Sequence, residues 1–280
     1  MASGKWLVAF FVLLALAACQ TPPAQDWRQQ EEFTLRHLMS TLRADSLEEL
    51  RLSAEGAWRL DAQRVLLIGS FRSPVGAVRS AVLISDDNGR TWRLAEAWMA
   101  GCEAAAACVL DSQRAWVVMN WSIEGHLPPY FVFRTEDGGK TWDRSVQAVG
   151  PLEGTPDLDQ VTFRTPKDGE ISFCDLGLKR YRFSTADGGM TWKFAAQDQG
   201  APRKFALQTP RKGDMRVSTD YDLRLLILEE YAGNDRWQLL AYLPSMWRLR
   251  DGAFAPSTQP AASQPTTQAA QNGPPRTERL

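Results

Sequence analysis

The sequence predicts an all-β fold of about four units, each of four strands and 50 residues, with one helix in front of them. Three observations carry this. An eight-residue motif recurs as SDDNGRTW at 85–92, TEDGGKTW at 135–142 and TADGGMTW at 185–192. Its aspartates, Asp87, Asp137 and Asp187, stand 50 residues apart without drift. Short apolar runs bounded by turn residues fill each interval, four to a unit.

Each copy fits Ser/Thr-x-Asp-x-Gly-x-Thr-Trp. The matching residues are Ser85, Asp87, Gly89, Thr91 and Trp92, then Thr135, Asp137, Gly139, Thr141 and Trp142, then Thr185, Asp187, Gly189, Thr191 and Trp192. The motif resembles the Asp-box, or bacterial neuraminidase repeat. The resemblance covers roughly residues 47–243 and implies a small β-propeller of about four blades. Asp-boxes occur in sialidases, other glycosidases, sortilin-type receptors and photosystem II assembly factors, so the fold is implied far more narrowly than the function.

The chemistry of the motif is that of a hairpin turn. An Asp carboxylate can accept hydrogen bonds from nearby backbone N–H groups and close the turn. The glycine supplies positive φ, the threonine re-enters a strand, and the tryptophan offers apolar area to a neighbouring unit. On this reading the aspartates support turns. The alternative is an acid or oxygen-ligand role.

Taken in order, the chain opens on a targeting segment. Lys5 precedes the apolar run Trp6–Ala18, too short to span a bilayer as a mature helix. It ends in Leu16-Ala17-Ala18-Cys19, which resembles a lipobox and implies a lipid on Cys19 and a membrane anchor, with residues 1–18 removed. Gln20 after Cys19 favours the outer membrane of a bacterial envelope, facing the periplasm. An ordinary secretory signal is the alternative. A tether leads to the helix expected over Asp26–Arg43, whose apolar stripe is Phe33, Leu35, Leu38, Met39 and Leu42. Residues 19–46 thus form tether and helix, and 47–254 the repeat domain.

Within that domain the expected strands are Leu47–Leu52 extending toward Trp58, Val65–Ser70, Ser80–Ser85 and Trp92–Glu96. Ala107–Asp111, Ala115–Trp121, Tyr130–Thr135 and Trp142–Val146 follow. Then come Gln160–Thr165, Glu170–Cys174, Tyr181–Thr185 and Trp192–Ala196. The fourth unit has Lys204–Thr209, Met215–Thr219, Leu223–Glu230 and Trp237–Tyr242, with a degenerate box at Gly233–Trp237. Met246–Phe254 completes the first blade or covers an edge. A ring closed by four blades and a partial ring closed by dimerisation both remain open. Residues 255–280, rich in Pro, Ala, Gln, Thr and Ser, read as a disordered tail.

The formal net charge of −1 excludes a nucleic-acid footprint, and no Cys/His set has zinc spacing. No metal and no cofactor is expected. Cys102 and Cys108 are read as a local disulfide, with two buried thiols as the alternative. Cys174, in an alternating run, reads as core.

The loops between second and third strands share the face away from the boxes. They hold Arg72, Arg79, Glu124, His126, Lys179, Arg180, Asp220, Tyr221 and Asp222. This mixed-charge rim is the candidate face for an envelope protein, or for a glycan. Phe71-Arg72-Ser73-Pro74 resembles the Phe-Arg-Ile-Pro stretch of sialidases, whose arginine grips a substrate carboxylate. The remaining sialidase residue set and the six-blade length are not found in the sequence. The reading is therefore a non-catalytic lipoprotein that binds another protein, with a glycan-binding or sialidase-like glycoside hydrolase protein as the alternative.

Overall fold

The computed structural model describes residues 49–256 except 75, 96, 122–129, 147–148, 150–156, 176, 201–208 and 251–252. Cys19, the helix expected over Asp26–Arg43 and residues 257–280 lie outside the described residues. What is described is all β, in four antiparallel sheets.

The first sheet contains β1 (Leu50–Arg59), β2 (Val65–Ser73), β3 (Gly76–Ser85) and β4 (Arg93–Leu94). The second contains β5 (Cys102–Val109), β6 (Ala115–Trp121), β7 (Tyr130–Thr135) and β8 (Asp143–Arg144). The third contains β9 (Asp157–Phe163), β10 (Gly169–Cys174), β11 (Lys179–Thr185) and β12 (Lys193–Gln199). The fourth has β13 (Met215–Asp220), β14 (Leu225–Gly233) and β15 (Arg236–Pro244), and the strand expected over Lys204–Thr209 falls almost wholly outside the described residues. Inside each sheet consecutive strands are neighbours, as in the blades of a β-propeller.

The chain end resolves one open alternative. β16 (Met246–Arg250) pairs with β1 through Leu50↔Trp247 and Arg51↔Met246, and β17 (Ala253–Pro256) pairs with β16, so the first sheet has six strands. Ala255 and Pro256, read from composition as tail, belong to that last strand.

Burial explains the sequence patterns. The first sheet packs on both faces, so β2 is a continuous apolar run rather than an alternating one. Leu66 and Ile68 join Val117, Met119 and Phe133 of the second sheet. Val65, Leu67 and Phe71 join Leu226, Leu228 and Leu243 of the fourth. Trp116, Val118 and Val132 meet Phe163, Ile171 and Phe173 of the third sheet, with the Trp116 and Phe163 rings stacked 3.6 Å apart. The order in space is therefore fourth, first, second, third. Three apolar interfaces join four sheets among the described residues. A closed ring of four needs a fourth interface, and no described cluster joins the third sheet to the fourth.

The outer face of the third sheet shows why. Arg180 and Arg182 on β11 alternate with the inward Tyr181 and Phe183. Arg180 meets Asp159 at 3.2 Å and Asp198 at 3.8 Å, while Arg182 meets Asp198 at 3.1 Å and Glu170 at 3.8 Å. A face carrying this network is suited to water, like the capping repeat at the end of an array.

The disulfide expectation is corrected. Cys102 and Cys108 are thiols near opposite ends of β5, pairing across to Trp121 and Trp116. Six residues of strand separate them by roughly 20 Å, far beyond the reach of a bridge. Cys102 sits between the first and second sheets, and Cys108 packs toward the third. Cys174 is buried, as expected, on the polar side of β10.

Candidate functional site

The three repeated turns have one hydrogen-bond pattern. The Thr91, Thr141 and Thr191 hydroxyls donate to Oδ2 of Asp87, Asp137 and Asp187 at 2.6, 2.6 and 2.5 Å. The same threonines donate their backbone N–H to Oδ1 at 2.8, 2.9 and 3.0 Å. Ser85, Thr135 and Thr185 donate to Oδ1 and accept from the glycine N–H of Gly89, Gly139 and Gly189. Each tryptophan closes the unit by donating Nε1–H to that glycine's carbonyl. The Thr91 and Thr141 bonds hold Asp87 and Asp137 at about 2. Partial burial pushes Asp187 up, but the Thr191 and Thr185 bonds outweigh it and it too lies at about 2. Carboxylates this acidic and this occupied support turns. They are poor general acids.

The turns also bind sheet to sheet. Trp92 packs in the fourth–first interface, Trp142 in the first–second and Trp192 in the second–third. A Cβ on Gly89 would meet Ala241 of the fourth sheet, one on Gly139 would meet Ile84 of the first, and one on Gly189 would meet Trp116 of the second. Each glycine thus lies against the preceding sheet. The degenerate box breaks the series. Its turn is the two-residue Asn234-Asp235, both with φ of 54°, and a Cβ on Gly233 would meet nothing.

A second repeat escaped the sequence reading. Asp61-Ala-Gln63-Arg64 and Asp111-Ser-Gln113-Arg114 stand 50 residues apart between first and second strands. Both aspartates cap their own turn through the N–H groups of the glutamine and arginine. The glutamine carbonyls then accept from Asn88 and Gly138 in the box turns. Arg64 reaches the next sheet, donating to the carbonyls of Ser112 and Gly138. In the third sheet Thr165 takes the capping place. The spacing alone would have revealed this motif.

The opposite end of the sheets carries the predicted binding residues. Glu124 and His126 lie outside the described residues. Tyr221 is 70% exposed, and the Arg51 guanidinium lies 5.7 Å from its ring, tying fourth sheet to first. Arg72 forms an ion pair with Glu103, tying first to second. Arg79 lies 4.1 Å over Trp98. Asp220 accepts from the Leu223 N–H, and Asp222 is exposed beside it. Lys179 is exposed on the β10–β11 turn, held by Asp175. Arg180 is corrected as a rim residue: its side chain is 11% exposed and locked on Asp159. Arg51, Trp98 and Glu103 were missed, because only the fold brings them to this end. Among the described residues no group of three or more metal-ligating side chains forms a cluster.

No protein-family model matches the sequence, and no curated protein does. Solved structures do align. YCF48 from Cyanidioschyzon merolae is 18% identical over 68% of this chain and 56% of that one, at a TM-score of 0.37. A structure of YCF48 bound to D1 peptide is 15% identical over 71% of this chain and 57% of that one, at 0.36. The GH74 xyloglucanase from Xanthomonas campestris is 14% identical over 64% of this chain and 27% of that one, at 0.34. The chain spans just over half the length of the two YCF48 structures. At these scores the likenesses carry no argument about this chain's activity or partner.

Proposed function

We propose that this chain is an Asp-box propeller-type lipoprotein of a bacterial envelope that binds another protein without catalysis, through the end of its sheets opposite the boxes. On this reading Cys19 carries the lipid, residues 19–46 tether the domain at the outer membrane, and the partner meets Arg51, Arg72, Arg79, Trp98 and Tyr221. The observation that carries the reading is a division of labour. The box carboxylates are consumed by their own turns, whereas the far end presents arginines pre-oriented on aromatic rings. Arginine, tyrosine and tryptophan are the side chains enriched at the centres of protein interfaces.

The glycan-cleaving alternative asks Arg72 to grip a substrate carboxylate. Arg72 instead has Glu103 as its partner. The test is crosslinking in intact envelopes followed by capture. Capture should fall about tenfold for Arg51→Ser with Tyr221→Ser, which removes two interface-type side chains, and persist for Asp137→Ala at low temperature. Capture lost with Asp137→Ala alone, in folded protein, would sink the reading. So would sialoside hydrolysis that disappears with Arg72→Ala. Lipid labelling of the parent and none of Cys19→Ser would support the anchor.

A further inference from the structure

The two ends of the arc of sheets are finished differently. The outer face of the third sheet is covered by the charge network on Arg180 and Arg182. The outer face of the fourth sheet is apolar. Leu225 pairs with Pro244, Ile227 with Tyr242 and Glu229 with Leu239, all facing away from the first sheet. Their neighbours Leu226, Leu228, Ala241 and Leu243 point the other way, into the shared core. Leu239 and Tyr242 are 52% and 44% exposed. Arg216, paired to Glu229 and lying 4.4 Å from the Trp237 ring, borders the strip. No described hydrophobic cluster includes this face.

We propose that residues 26–43 of the same chain lie across this face, with Leu35, Leu38, Met39 and Leu42 against Leu225, Ile227, Leu239 and Tyr242. Three observations single out this occupant. Its apolar residues follow a helical spacing, which leaves one stripe needing cover. Its tether is short and starts in the right place. β1 opens at Leu50, inside the core shared by the first and fourth sheets. Arg51 reaches the ring of Tyr221 on the β13–β14 turn, where the two faces of the fourth sheet meet. Residues 44–49 extend to roughly 20 Å, enough to pass over that turn. The lengths also agree. An 18-residue helix is about 27 Å long, and the nine-residue strands β14 and β15 run about 30 Å.

Leu239→Cys reports the covering directly. In the full chain its thiol should react with a maleimide about tenfold more slowly than when Leu35, Leu38 and Leu42 are also changed to serine, because a covered side chain reacts only on local opening. Labelling is read by mass spectrometry on the peptide that contains residue 239. Reciprocally, trypsin should cut after Arg36 and Arg43 about tenfold faster in Leu239→Glu with Tyr242→Glu than in the parent, at equal melting temperature. Equal labelling with and without the serine changes, in a monomer, would overturn the proposal. Slow labelling in both, accompanied by dimers in light scattering that Tyr242→Glu dissociates, would overturn it in favour of a second copy.

Discussion

At the residue scale, one threonine and one aspartate do most of the work in each turn. The aspartates lie at about 2 when folded, against an ordinary 3.8. A depressed carboxylate pKa gives stability that is complete above the unfolded value and lost as pH falls through the folded one. Thermal melts should therefore be level above about pH 5 and fall between pH 4 and 2 in a step that shrinks in Asp137→Asn. Asp137→Ala should cost on the order of 1 kcal/mol in a denaturant titration, since its bonds are charge-assisted but partly screened by water. Arg180→Met is the opposite case. It leaves the Asp159 carboxylate, fully buried and bonded to Ser172, without its cation, and should cost about 3 kcal/mol or more. The turn aspartates were legible in the sequence because their partners sit two and four residues away. The Arg180 pairing was not, because Asp159 arrives from β9, 21 residues earlier.

At the scale of the element, glycines of the same backbone conformation differ in what surrounds them. Gly139 has φ of 84° and a Cβ there would sit 2.1 Å from Ile84 Cδ1, whereas Gly233 has φ of 92° and open space. Gly233→Ala should cost about 1–2 kcal/mol, the strain of a left-handed residue alone. Gly139→Ala should cost about 1–3 kcal/mol more, because the first and second sheets must part to admit a methyl group. Urea titrations of the two variants check the difference. The strands ending at Ser85, Thr135 and Thr185 were read correctly, since a turn motif fixes the end of the strand before it. β5 was misplaced by five residues at its start. Its Cys-Glu-Ala-Ala-Ala-Ala run has weak strand propensity and becomes a strand by pairing with β6.

For the whole molecule, the period predicts blades but not which blades touch. The fourth sheet follows the third in the chain and packs on the first, an arrangement decided by which faces are apolar. Stability should follow the same order. The first sheet, covered on both sides, should show the slowest amide exchange, and β12 and β15, at the outer edges of the end sheets, the fastest, readable by peptide-resolved deuterium uptake. Uniform protection across all four sheets would contradict an arc with two free ends.

The charge network on the third sheet also limits how such a chain could grow. A 50-residue unit duplicated between the first and second sheets would meet apolar partners on both sides. The same unit placed after residue 200 would have to bury Arg182, Asp198 and Glu170 beneath it. Gene duplication could therefore lengthen this arc only from within, and Arg180 and Arg182 act as a stop signal for the addition of repeats at that end.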